Sequence, residues 1–299
     1  MWRPVSVCVM AVLAVCPRAD ARQAAPAPSG PPIAEATAAR TGISIGWEFR
    51  HDTHRYRFEN PSSFNTAALV PHHFEQTFRV SSHWVVAAVS YRLAGRVWLT
   101  EAGWAPPATG FGDDYDTFFN PDGNVIVYGT AVRARIGSFR FRHWIELARL
   151  GRLDVQVGYA WRRDESRYPP GFSTTTQTAP PSSSAVWNEG RETTLSNTHE
   201  VRFGLSGAWR IGQRWGLVPR LDVTPVGSAR LTTLLPDKYP GQPIVFTATA
   251  GTLAPSLAVR GDIGRCTLTI VVDYVHSWSY QAARQFSQSG GGIRAQVRF

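Results

Sequence analysis

The densest set of groups able to move protons is Gly112-Asp113-Asp114-Tyr115-Asp116. Close carboxylates raise one another's pKa, so one can hold a proton while its neighbour activates water. The same oxygens suit a Ca²⁺ ion. A solvated acidic turn ahead of Asn120-Pro121-Asp122-Gly123 accounts for them without any chemistry. His276, close to Asp273, Tyr274 and Trp278, reads either as a base or as a residue of an aromatic belt. His72-His73 precedes a strand, and alternation turns two adjacent rings to opposite faces, against joint metal binding. His199-Glu200 opens another strand and stays ambiguous. Gly290-Gly291-Gly292 leads into a strand rather than a helix, so it is no phosphate cradle. No cofactor or metal site is expected.

The elements that must position these residues are strands. Ile293, Ala295, Val297 and Phe299 alternate with Arg294, Gln296 and Arg298 to the end of the chain. A period of two places the two sets on opposite faces of a strand. A terminal Phe in such a strand has the look of the closing strand of a bacterial outer-membrane barrel. Residues 1–21 read as a secretory signal, with Arg3, an apolar stretch from Val5 to Val15, and Ala19-Asp20-Ala21 as the cleavage site. Residues 22–40 are rich in Ala and Pro and lack periodicity, which suits a disordered lead-in. Residues 41–299 form the barrel.

Composition agrees. Cys8 and Cys16 leave with the signal, so Cys266 stands alone and no intramolecular disulfide forms. The 11 Trp, 15 Phe and 9 Tyr suit aromatic girdles at two membrane interfaces. A net charge of +9 would suit nucleic acid, but an exported barrel does not meet it; outer-membrane lipid phosphates, lipopolysaccharide among them, are the expected partner.

Alternation recurs at Ile43–Arg50, Leu153–Arg162, Val201–Arg210 and Thr267–Tyr274. Four short turns and five long segments, near 58–70, 105–123, 164–196, 229–243 and 281–289, predict about ten strands. The expected fold is an all-β, transmembrane, antiparallel up-and-down barrel in the outer membrane, acting as a monomer. Two strands read poorly. The segment 125–148 changes parity near Gly137-Ser138, which predicts a bulge or a strand continuing above the membrane. The segment 244–261 carries Gly251 and Pro255. The inward set Arg142, Glu146, Asp154, Arg202, Arg220, Asp222, Arg260, Asp273 and Arg294 predicts a lumen filled with ion pairs.

In order of features the chain resembles the omptin family of outer-membrane proteases. Ile43-Ser44-Ile45-Gly46 opens the first strand, Ala102-Gly103-Trp104 lies before the acidic segment, and Gly158-Tyr159 sits in the fifth strand. The resemblance implies a ten-stranded barrel whose paired aspartates, with a His–Asp couple across the cleft, hold the water that attacks a peptide. Asp114-Tyr115-Asp116 keeps the family's Asp-x-Asp spacing; aligning the aromatic that follows the pair instead makes Asp114 the second aspartate and leaves Gly112 at the first. In Pro236-Asp237-Lys238-Tyr239-Pro240, Lys238 stands in the apparent place of the histidine. Two functional classes follow. One is an omptin-like endopeptidase using Asp113, Asp114 and Asp116, with His276 as the relocated base. The other is a non-catalytic barrel whose outer loops bind a partner or a surface glycolipid. A pore is a third option.

Overall fold

The computed structural model describes residues 41–59, 70–119, 125–168, 174–179, 181–187, 192–234, 236, 241–281 and 284–299. The expected signal and lead-in, and Lys238, lie outside them. The strands are β1 (Gly42–Glu59), β2 (Val70–Leu93), β3 (Arg96–Phe119), β4 (Val125–Leu150), β5 (Leu153–Arg167), β6 (Thr174–Ala179), β7 (Pro181–Trp187), β8 (Thr193–Gly207), β9 (Trp209–Ile211), β10 (Trp215–Leu234), β11 (Ile244–Ile263), β12 (Cys266–Ser279) and β13 (Arg284–Arg298). Ten of them close a ring in the order β1-β2-β3-β4-β5-β8-β10-β11-β12-β13, and β13 returns to β1 antiparallel. Closure leaves no free edge, which a sheet in lipid requires. The β6–β7 hairpin adds to β4, and β9 pairs the start of β10.

Ser44 faces Arg298, so both ends of the barrel chain lie together, at the end that also carries the short turns. One of these is Ala94-Gly95, where φ is 51° and 75°. Two positive φ values make a hairpin turn whose twist matches the strands it joins. The long connections gather at the other end, called here the loop end. The expected loop over 105–123 is instead mostly strand. β3 runs to Phe119, because Asp114 finds register partners on both sides, Gln76 and Thr130. The segment 244–261 lies within one continuous strand, β11.

β1 shows how the sequence sorts its faces. Ser44, Glu48, Arg50, Asp52 and His54 are buried in the lumen, while Ile43, Ile45 and Phe49 are exposed outside. This is the pattern of a lipid-facing wall around a polar interior. Toward the loop end the pattern inverts. On β4, Arg140 points in and Phe139 out; farther along, Val132, Ala134 and Ile136 point in while Arg133 and Arg135 point out. The parity of β4 does not change near Gly137-Ser138; the solvent outside it does. The bulge lies on β3 instead, where Pro106-Pro107 opens the register between Ala105 and Ala108 opposite that site. Proline has no amide hydrogen for the ladder, so a bulge is where a sheet tolerates it.

The lumen therefore has three layers. Nearest the loop end, Tyr56, Phe78, Val80, Ile136, Tyr168, Leu231 and Phe286 belong to an apolar core. Below it lies a network of buried ion pairs. Arg50 bridges Glu48, Asp52 and Asp273, Arg162 bridges Asp52 and Asp164, and Arg294 reaches Glu101 at 2.5 Å. At the turn end a vestibule of about 280 Å³ is lined in part by Glu146, Asp154, Arg220, Arg260 and Arg298. The charges expected inside the barrel are there, and those of the middle layer are paired as a narrow lumen requires.

Candidate functional site

β3 carries the acidic cluster near its loop end. Asp114 and Asp116 share the inward face with Gly112, while Asp113 and Tyr115 face outward with Phe111. The triad is thus split by the strand's own alternation. Beside Asp114 the inward neighbour on β2 is Gln76, whose amide nitrogen lies 3.5 Å from the Asp114 carboxylate. The Tyr168 hydroxyl donates to the Gln76 carbonyl at 3.1 Å. Burial pushes the Tyr168 phenol well above its ordinary pKa, so it keeps the proton it donates.

His276 does not join this group. It sits on β12, separated from β3 around the ring by β13, β1 and β2, and it faces outward. Its ring stacks on Trp278 at 5.6 Å, the aromatic-belt reading of this residue. Its inward neighbour Asp273 is taken by Arg50 at 2.6 Å. The pair His199-Glu200 divides in the same way. His199 faces outward against the Tyr159 hydroxyl at 2.6 Å, and Glu200 faces inward against Arg202. His73 lies 3.6 Å from Glu75. Gly290, Gly291 and Gly292 lie in β13, where a Cβ on Gly290 would meet the Asp52 carboxylate and one on Gly292 the Arg50 side chain. The glycines make room for buried ions. Among the described residues no group of three metal-ligating side chains converges.

The outer wall holds a feature that the sequence reading did not single out. Toward the loop end the outward aromatics Phe139 and Trp161 give way to arginines on β4 and β5, while β3 continues from Trp104 to outward Phe111 and Tyr115. Phe139 pairs with Arg163, and Arg135 pairs with Arg167. Together with Trp104, Pro107 and Glu165 they line an outward cleft of about 350 Å³. Arg133 lies over the Phe111 ring at 5.4 Å beside it. Three arginines against one glutamate leave the cleft cationic. The signal was present in the spacing Arg133-x-Arg135 and Arg163-x-x-x-Arg167, all on the outward parity.

The chain superposes on the outer membrane protease OmpT from Escherichia coli with a TM-score of 0.62 at 8% identity, over 86% of this chain and 96% of that one. The fold is omptin-like. The translocator domain of the autotransporter NalP from Neisseria meningitidis gives a TM-score of 0.35 at 12% identity, over 87% and 89%. Ail, the attachment invasion locus protein of Yersinia pestis, gives 0.31 at 12% identity, over 87% and 99%. No family model matches the sequence, and no curated protein matches it. At such identity the omptin likeness carries architecture and not activity.

Proposed function

We propose that the chain is a non-catalytic barrel of the bacterial outer membrane whose outer wall holds the phosphorylated headgroup of a surface glycolipid. The observation that carries this is the cleft of Arg135, Arg163 and Arg167 beside the outward Trp104 and Phe139 rings. Guanidinium groups match phosphate oxygens in a two-pronged geometry, and the Trp104 and Phe139 rings beside Arg163 offer apolar contact to the lipid. The excess of basic residues favours the same partner. The refolded barrel is expected to bind lipopolysaccharide more tightly than its dephosphorylated form, and less tightly as salt rises. The double variant Arg135→Gln/Arg163→Gln should lose that preference. Equal binding of both lipids, independent of salt, overturns the reading.

A second reading, an omptin-like endopeptidase, is favoured by Asp114 and Asp116 facing the barrel mouth at the family's spacing. His276, turned outward, does not supply its base. Peptide cleavage by the folded barrel with lipopolysaccharide, abolished in Asp114→Asn, would support it. A verified folded wild type that cuts no basic peptide removes it.

A further inference from the structure

The middle of the lumen encloses a void of about 30 Å³ among Arg50, Arg140, Arg142, Arg162, Arg202 and Glu200. That is the share of volume of one water molecule, and a chloride ion is of like size. Its charged wall is five guanidinium groups against one carboxylate, and the Thr198 and Ser277 hydroxyls and the Gln288 amide also line it. A guanidinium carries five N–H groups and no acceptor. The one carboxylate in the wall, Glu200, is already engaged by Arg202 and by the Thr252 hydroxyl. The carboxylates that neutralise the other arginines, Glu48, Asp52 and Asp164, do not line the void.

Two donors show the imbalance. Arg50 Nη2 is buried with no hydrogen-bond partner among the described residues, and the Arg50 side chain is 1% exposed. Among the described residues Arg142 has one ion pair, at 3.5 Å to Glu101, a carboxylate that Arg140 and Arg294 also share. A water placed there can donate to the Thr198 or Ser277 hydroxyl, but it leaves five cations facing one carboxylate. A halide accepts from every side and donates nothing. We infer that this void is a binding site for one small monovalent anion, chloride in the natural setting. Gluconate, with six carbons, is far larger than a halide and serves as the control. The vestibule at the turn end carries Arg220, Arg260, Arg294 and Arg298 against Glu101, Glu146 and Asp154, a slight cationic excess. This inference is independent of the glycolipid reading.

The test uses the full refolded barrel in detergent. Its thermal midpoint is followed against sodium chloride, sodium bromide and sodium gluconate, with ionic strength held constant. Chloride and bromide should raise the midpoint to saturation, as a ligand that binds only the folded state does, and gluconate should not. Arg142→Gln should erase the difference between the salts. A crystal grown in bromide should show an anomalous peak among the five guanidinium groups. Equal midpoints in the three salts, or a bromide-grown crystal with no peak in the void, overturn the assignment. If Arg142→Gln does not fold, the wild-type salt series and the bromide peak decide it.

Discussion

Arg140 on β4 reaches across the lumen to Glu48 on β1, with Nη1 2.8 Å from Oε1 and Nη2 against Oε2. The guanidinium also lies 4.8 Å from the ring of Trp84, which is fully buried. The pair joins strands that are not neighbours in the ring, so it fixes the cross-section of the barrel rather than a local ladder. Glu48 accepts from Arg50 as well, at 3.0 Å.

Glu48→Gln removes the charge that both arginines answer to. Breaking a buried pair while its partner stays buried costs roughly 3–5 kcal/mol. Urea unfolding of the refolded barrel, followed by Trp fluorescence, should show a loss of this size. A loss below about 1 kcal/mol would mean that water reaches the network and screens it, as at exposed pairs.

Phe78 tests the inversion of polarity. It is 1% exposed inside the loop-end core, near the Tyr168 ring at 5.8 Å. Phe78→Ala should cost about 3–5 kcal/mol, the range for emptying a packed aromatic site. Amide exchange should quicken in the outer portions of β2, β3 and β4 while the lipid-embedded portions stay protected. Uniform quickening along whole strands would show that the two halves unfold together.

The stacked layers also predict a closed lumen. The vestibule and the small void are separate spaces with no lining residue in common, and Phe78, Tyr168 and Phe286 pack in the apolar core nearer the loop end. Planar-bilayer recordings of the purified barrel should stay silent. Stable single-channel steps would contradict this layering.

Alternation alone made β1 and β13 legible, because one face of each is apolar and the other polar in the membrane zone. It failed where the surroundings change along a strand. Residues 105–119 looked like a loop because outside the bilayer a strand no longer needs an apolar outer face, so Asp113 and Tyr115 can alternate with Gly112, Asp114 and Asp116. Trp84 could not be oriented from sequence, since Trp84, Val85 and Val86 are apolar on both parities; its burial depends on Arg140 and Arg162, which arrive from β4 and β5. At the candidate site, period two correctly unites Asp114 with Asp116. The same rule sets His276 opposite Asp273, which puts the histidine outside. What no local rule supplies is the neighbour across the ring.

Apart from the register shifts on β2, β3 and β10, the strands that line the lipid belt continue into water, and this has a mechanical meaning. On β1 about ten residues follow Phe49, a rise on the order of 25 Å once the usual strand tilt is applied. The loops therefore stand on a stiff stalk with no hinge at the bilayer surface. A pull on any of them acts along the strands and must shear whole ladders of hydrogen bonds instead of peeling them one at a time. Whatever the rim touches is held at a fixed standoff from the membrane, under load as well as at rest.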